Sequence, residues 1–175
     1  MNWMKKVAVA LVCLLPLGLQ AAKIDTLQVK SPSMNKSIEV VVVSPDVAAT
    51  KACPVIYLLH GYGGNACTWV GINLPKIADE KGIFFVCPDG KNTWYWDSPL
   101  NADVRYETFI SNELVKYVDS HYKTVADRKG RAITGLSMGG HGAMWNGLRH
   151  SDVFSAAGST SGGVDIRPFP KNWEM

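Results

Sequence analysis

A serine between two glycines, at the spacing G-x-S-x-G, constrains the fold of this chain more than any other feature. The pentapeptide Gly135–Gly139 follows a short strand-like run, 131–134, and precedes a segment rich in small residues. When a strand turns tightly into a helix, side chains two positions before and two positions after the turning residue have no room. The glycines Gly135 and Gly139 meet that need. The sequence therefore predicts a strand–turn–helix unit with Ser137 at its tip and the positive end of the helix beneath it.

The remaining segments alternate between the periodicities of strands and helices. Strands are predicted at 24–30, 38–44, 54–59, 83–87, 132–134 and 154–158. Helices are predicted at 103–121, at 138–149, and between Asn73, a capping residue, and Gly82. This alternation predicts an α/β fold, a three-layer sandwich whose central sheet is mostly parallel. A length of 175 residues suits one domain.

The first residues have the pattern of an export signal. Lys5 and Lys6 precede an unbroken apolar run over 7–15, and Pro16 interrupts it. A membrane-spanning helix needs about 20 apolar residues, so this run is too short. We expect 1–21 to be a signal peptide, 22–175 to be the mature domain, and the protein to be secreted or periplasmic without a stable membrane anchor after cleavage.

Charge and cysteine spacing exclude two classes of function. Without the two early lysines, the chain holds 16 basic and 15 acidic side chains, which is too balanced for a nucleic-acid-binding protein. No two cysteines have the CxxC spacing of a zinc site, and neither a metal nor a cofactor is expected. A Cys53–Cys67 disulfide is an open alternative after export, whereas Cys87 lies in an apolar strand pattern and is expected to be buried.

A second glycine-rich motif follows the predicted strand 54–59 and consists of His60, Gly61, Tyr62, Gly63 and Gly64. Small residues at this point let backbone N–H groups face a ligand, as in loops that stabilise an oxyanion. The expected donors are the N–H of Tyr62, with Gly61 as the alternative, and the N–H of Met138, which follows the serine. His60 is expected to orient the loop and not to act as a base.

Three aromatic residues lie together in the loop after strand 83–87, namely Trp94, Tyr95 and Trp96. Loops at the carboxyl ends of strands line the binding site in open α/β sheets. Two interpretations stay open for this loop. It forms the wall of a substrate site, or it is a hydrophobic lid that packs on the following helix.

Three segments carry a resemblance to a known family: YLLHGYGGN at 57–65, PDG at 88–90 and ITGLSMGGHGA at 133–143. They resemble the esterase branch of the α/β-hydrolases, with its tributyrin-type esterases, S-formylglutathione hydrolases, feruloyl and acetylxylan esterases and antigen 85 mycolyltransferases. The resemblance extends from about residue 24 to the last residue. It implies that Ser137 is a nucleophile and that the substrates are carboxylic esters, either small molecules or esters linked to polysaccharide.

The acid and the base of a catalytic triad are missing from their expected places. In this fold the chain order is serine, then Asp or Glu, then histidine. After Ser137, the two histidines His141 and His150 precede every acid, namely Asp152, Asp165 and Glu174. We expect His141 to be a structural helix residue. Asp165 comes too soon after the predicted helix, so neither a triad acid nor a triad base is assigned.

Two hypotheses follow from this order. In the first, the chain is an N-terminal fragment of a secreted serine esterase, incomplete at the C-terminus and truncated before the last strands. In the second, it is a non-catalytic esterase-like remnant or a binding module. The first hypothesis also predicts that missing strands leave apolar sheet positions uncovered, namely Val55, Ile56, Leu58, Phe84, Val86 and Ile133.

Overall fold

An antiparallel hairpin opens the chain in the computed structural model, which describes residues 22–165. Its strands are β1 (Lys23–Ser31) and β2 (Lys36–Ser44), paired along their whole length. Asn35 in the connecting turn has a φ of 49°, a left-handed conformation that asparagine tolerates. The predicted signal peptide 1–21 lies outside the described residues.

Four further strands complete a sheet of six within residues 22–165. They are β3 (Val55–Leu59), β4 (Phe84–Pro88), β5 (Arg131–Gly135) and β6 (Ala156–Ala157). The spatial order is β1-β2-β4-β3-β5-β6, and the four strands from β4 to β6 are parallel to one another. The prediction of a mostly parallel sheet is confirmed. The predicted strand 154–158 is reduced to two residues.

The helices lie between the strands as the periodicity predicts. They are α1 (Leu74–Lys81), α2 (Tyr106–Thr108), a π-helical stretch (Phe109–Leu114), α3 (Val115–His121) and α4 (Met138–Arg149). The helix predicted at 103–121 is formed by three consecutive elements, α2, the π-helical stretch and α3. Helix α4 has its predicted bounds. Asn73 occupies the N-cap position of α1 as predicted, but its φ is 60° and its side chain makes no cap hydrogen bond.

The sheet separates two apolar cores. Val40 and Val42 point into the larger core with α4, whereas Val41 and Val43 point into the smaller one with α1. This alternation follows from the two-residue period of a strand. The helices and the cores therefore cover both faces of the sheet, as in a three-layer sandwich.

The expectation of uncovered sheet positions is wrong for the central strands. Val55, Phe84, Val86 and Ile133 are buried, Leu58 is only 8% exposed, and Ile56 is half-buried against the smaller core. Helices and loops of residues 22–165 already supply that cover. The large apolar side chains that remain exposed in residues 22–165 are spread over the surface, and those in or near α4 and after β6 are Leu136, Leu148 and Val164.

The three described cysteines are unpaired as disulfides, so the Cys53–Cys67 bridge is not formed. Cys53 is buried and Cys67 is exposed. Cys87 is buried as expected, and burial raises the pKa of its thiol to about 12. A thiol with such a pKa is not a nucleophile near neutral pH.

A buried carboxylate ties α2 to the end of α4. Glu107 accepts hydrogen bonds from Trp145 Nε1 at 2.7 Å, from Arg149 Nε at 2.8 Å and from His150 Nε2 at 2.9 Å. Burial alone would raise the pKa of Glu107, but these donors outweigh it and hold the pKa below its ordinary value. A lowered folded pKa means that this contribution to stability is present above the unfolded pKa and is lost as the pH falls through the folded pKa.

The first prediction is that Glu107→Gln lowers the free energy of unfolding by about 2 kcal/mol at neutral pH, because charged acceptors make the stronger hydrogen bonds. Urea unfolding of both proteins should show the difference shrinking in acid, since the wild-type carboxylate is then protonated. Glu80→Gln is the matched control, because Glu80 is exposed and lies 3.7 Å from Lys76. It should change stability by less than about 0.5 kcal/mol. Equal losses in both variants would contradict this assignment.

Candidate active site

Ser137 stands at the tip of the turn between β5 and α4. Its φ is 54° and its ψ is −116°, a region that non-glycine residues rarely occupy, and the residue is exposed. Its backbone N–H donates to the carbonyl of Thr160 at 2.8 Å. Strain of this kind costs on the order of 1–3 kcal/mol and persists where the surroundings enforce it. The fold therefore holds this hydroxyl-bearing residue in an exposed, strained position.

The two glycines of the pentapeptide are placed where a side chain would collide with backbone. A Cβ on Gly135 would lie 2.5 Å from the carbonyl carbon of Gly139. A Cβ on Gly139 would lie 2.2 Å from the carbonyl oxygen of Leu59, at the end of β3. The start of α4 thus rests directly on the end of β3, which is the close approach that the spacing predicts.

The second glycine-rich loop lies against this serine. A Cβ on Gly61 would be 3.6 Å from Ser137 Cβ and 3.4 Å from the carbonyl oxygen of Leu136. Gly63 has a φ of 75°, and its N–H donates to the side-chain oxygen of Asn92 at 2.8 Å. The structure thereby brings the loop from β3 and the turn from β5 together, as the parallel neighbouring strands require.

Two backbone N–H groups are candidates to bind an anion beside Ser137. The N–H of Met138 belongs to the first turn of α4, where backbone donors have no carbonyl partner within the helix. The positive end of the helix dipole adds to this donor. The second candidate is the N–H of Tyr62, in the loop that contacts Ser137 through Gly61, with Gly61 itself as the alternative.

His60 is buried beneath this loop, with 1% of its surface exposed. Its Nδ1 lies 2.7 Å from the carbonyl oxygen of Gly61, and its Nε2 accepts from the N–H of Gly90 at 2.9 Å. The Asp89 carboxylate lies 3.5 Å from Nε2. Burial would raise the pKa of Asp89, but hydrogen bonds from the side chain and backbone of Lys91 hold it below its ordinary value. Asp89 is therefore a charged group at this end of the sheet.

The three aromatic residues of the loop 94–96 do not all have the same surroundings. Tyr95 is fully buried, its hydroxyl donates to the His60 carbonyl at 3.0 Å, and Asn146 Nδ2 donates to the Tyr95 carbonyl at 3.0 Å. The prediction that Tyr95 forms part of a substrate wall is therefore wrong, because no substrate could touch a ring enclosed by backbone and α4. Tyr95 connects the loop of His60 to α4 through these two hydrogen bonds.

Trp94 and Trp96 pack against α4 and also line a cleft. Their rings meet the His141 ring edge-on, with centroids 5.4 Å and 6.5 Å away. The cleft has a volume of about 360 Å³, and its other walls are Asn92, Thr93, Ser98, Pro99, Leu100, Asn101 and Val104. That Trp94 and Trp96 form part of a substrate wall therefore stays a prediction.

The histidines after Ser137 are both engaged in structural contacts. His141 is buried, and its Nδ1 lies 2.7 Å from the carbonyl oxygen of Gly163, while its ring stacks on Trp145. His150 lies at the end of α4 and bonds to Glu107. The acid Glu174 lies outside the described residues. Within residues 22–165 neither histidine forms a hydrogen bond with Ser137.

Within residues 22–165 no group of three or more histidine, cysteine, aspartate or glutamate side chains is arranged to hold a metal ion. Over the same part of the chain, none of the helices has the length and apolar character that crossing a bilayer requires.

The chain matches a known protein family over most of its length. The family model Esterase, described as "Putative esterase", matches residues 31–174. The chain belongs to this esterase family. Its fold is the α/β-hydrolase fold, since the solved structures that it resembles are esterases with that architecture.

Three similar proteins illustrate the relationship. Esterase Rv1288 of Mycobacterium tuberculosis is 28% identical over 145 residues, which cover 80% of this chain and 32% of that protein. The acetyl esterase of Caldicellulosiruptor saccharolyticus is 33% identical over 100 residues, which cover 57% of this chain and 37% of that protein. A solved ferulic acid esterase is 32% identical with a TM-score of 0.75, and the match covers 87% of this chain and 64% of that one. The chain thus spans about a third of these curated relatives.

Proposed function

We propose that this protein is a secreted serine carboxylesterase that works through an acyl-enzyme on Ser137. The observation that carries the proposal is the position of Ser137, exposed at the strained tip of the turn, with Gly61 of the second glycine-rich loop against it. Family membership adds support, because the family is one of esterases. Export rests on the signal-peptide pattern of residues 1–21.

In the proposed reaction, Ser137 Oγ attacks the ester carbonyl carbon while a general base takes its proton. The carbonyl oxygen becomes an oxyanion, which the N–H groups of Tyr62 and Met138 and the positive end of α4 stabilise. The C–O bond to the alcohol then breaks, and the protonated base returns its proton to the leaving alkoxide. Water, deprotonated by the same base, cleaves the acyl-serine ester and restores the hydroxyl.

The substrate class is proposed as acetyl or feruloyl esters, including those linked to polysaccharide. Relatives named acetyl esterase and ferulic acid esterase support this class. The cleft is lined by Trp96, which is half-buried, and by the buried Trp94, and an aromatic lining suits a sugar or an aromatic acid. Asn92 connects this cleft to the site, because its side chain also holds Gly63.

The general base and the triad acid are assigned to no residue of this chain. His141 and His150 are held by Gly163 and by Glu107, and both precede every acid that follows Ser137. The same absence favours the second candidate function, a non-catalytic esterase-like module. The two candidates differ in whether an acid and then a histidine follow in the reading frame.

The second prediction separates these candidates by turnover of p-nitrophenyl acetate. A chain of residues 22–175 should hydrolyse it near the background rate, because a positioned base contributes about 10²–10⁴-fold. The protein expressed from its complete reading frame, with an acid and a histidine after Ser137, should show enzyme-like turnover. Enzyme-like turnover by residues 22–175 alone would contradict the missing base. A complete reading frame that adds no activity would favour the non-catalytic module.

A further inference from the structure

The hydrogen bonds of His60 define its protonation state. A backbone N–H can only donate, so in the 2.9 Å contact from Gly90 the Nε2 atom carries no proton and accepts through its lone pair. A carbonyl oxygen can only accept, so the 2.7 Å contact to Gly61 makes Nδ1 the nitrogen that carries the proton. Both contacts are satisfied together by one form alone, the neutral imidazole protonated at Nδ1.

The neighbouring Asp89 does not overturn this assignment. Its Oδ1 lies 3.5 Å from Nε2, which is longer than a good N–H···O hydrogen bond. The carboxylate is instead engaged by Lys91, whose Nζ lies 2.6 Å from Oδ2 and whose backbone N–H lies 2.9 Å from Oδ1. The contact from Gly90 is the shorter of the two at Nε2, so it decides the tautomer.

The contact to Gly61 fixes the orientation of a whole peptide plane. The Gly61 carbonyl accepts from His60 Nδ1 and also from the N–H of Gly64 at 3.0 Å. A trans peptide directs its N–H opposite to its carbonyl. The N–H of Tyr62, in the same plane, therefore points away from the buried imidazole. No cis peptide bond occurs in the described chain, so this geometry holds here.

The space around this contact is closed. A Cβ on Gly64 would lie 3.0 Å from His60 Nδ1 and 3.1 Å from the Gly61 carbonyl oxygen. On the other side, the Tyr95 ring meets the imidazole edge-on at 5.7 Å, and its hydroxyl holds the His60 carbonyl. The imidazole is thus immobilised between the loop of Gly61 and the loop of Gly90.

We infer that His60, as the Nδ1-protonated neutral imidazole, is a positioning residue that sets the Tyr62 N–H of the oxyanion hole by holding the Gly61 carbonyl. This inference rests on the proposed function, because it assigns that N–H a role in ester hydrolysis. His60 itself touches no reacting atom. It acts through the peptide between Gly61 and Tyr62.

The third prediction concerns two substitutions that distinguish the roles of the two ring nitrogens of His60. In His60→Asn the side-chain NH₂ occupies the place of Nδ1 and can still donate to the Gly61 carbonyl. In His60→Gln the side-chain oxygen occupies the place of Nε2 and can still accept from Gly90, but the Gly61 carbonyl loses its donor. Removal of an oxyanion donor costs about 10²–10³-fold in kcat. We expect His60→Gln to lose about 10²-fold in kcat with little change in KM, and His60→Asn to retain most of kcat.

The measurements use the protein from its complete reading frame, with thermal unfolding to show that both variants fold. Equal losses of kcat in the two variants, or a larger loss in His60→Asn, would overturn the inference. ¹⁵N NMR of the imidazole gives a readout that needs no activity, with Nδ1 protonated and Nε2 not. A proton on Nε2 would also overturn it. If the wild type has no Ser137-dependent turnover, the proposed function fails, while the tautomer and the Tyr62 amide resonance in the two variants still decide the role of His60.

Discussion

Replacement of Ser137 by alanine should abolish both esterase turnover and labelling by a fluorophosphonate probe, in the protein from its complete reading frame. The probe forms its covalent bond with an activated serine hydroxyl, and the exposed tip between β5 and α4 is where this chain presents one. Loss of the nucleophile leaves only the stabilisation by the oxyanion hole and binding, so turnover should fall by about 10³-fold or more. Stability should hardly change, because the Ser137 hydroxyl makes no hydrogen bond within residues 22–165.

Two further variants make this prediction specific. Ser155→Ala removes an exposed serine near β6 whose hydroxyl donates to the Arg131 carbonyl, and it should be labelled like the wild type. His141→Ala should also be labelled, because His141 is held by Gly163 and is not the base in this interpretation. Equal labelling of Ser137→Ala and the wild type would refute the nucleophile. A thousand-fold loss in a folded His141→Ala protein would show that His141 takes part in the reaction.

The features that the sequence predicts best are those that depend on short-range geometry. The turn around Ser137, the bounds of α4 and the central strands all follow from residue spacing and from apolar runs. Gly135 and Gly139 are required by backbone contacts with each other and with the end of β3. Such contacts leave a trace in the sequence because only glycine satisfies them.

The features that could not be predicted from the sequence depend on contacts between distant segments. Tyr95 is one of three adjacent aromatic residues, and nothing local shows that its hydroxyl meets the His60 carbonyl while its own carbonyl meets Asn146. Asn92 likewise is an ordinary loop asparagine until Gly63 is placed beside it. The tautomer of His60 needs two partners from two loops. The choice between a substrate wall and a hydrophobic lid for the aromatic loop could not be made without these long-range partners.

Substitution of Gly139 by alanine should have the second largest effect, on stability and activity together. An alanine Cβ would lie 2.2 Å from the Leu59 carbonyl oxygen and 2.6 Å from the His60 carbonyl oxygen. Alanine in a helix is normally favoured over glycine by about 1 kcal/mol, so the intrinsic propensity acts in the opposite direction. Both of these oxygen atoms belong to the backbone, so they cannot move aside as a flexible side chain would. The start of α4 must therefore separate from the end of β3.

That separation moves Ser137 and the Met138 N–H away from the loop that carries Tyr62. Overpacking costs about 1–3 kcal/mol of stability, and a shift of about 1 Å in a reacting group costs about 10²-fold in rate. Urea unfolding and p-nitrophenyl acetate turnover should show both losses in Gly139→Ala. Gly71→Ala is the matched control, since no heavy atom lies within 4 Å of a Cβ at Gly71, and it should stay close to the wild type in both measurements. If Gly139→Ala were as stable and as active as Gly71→Ala, the contact between α4 and β3 would not be what holds the serine in place.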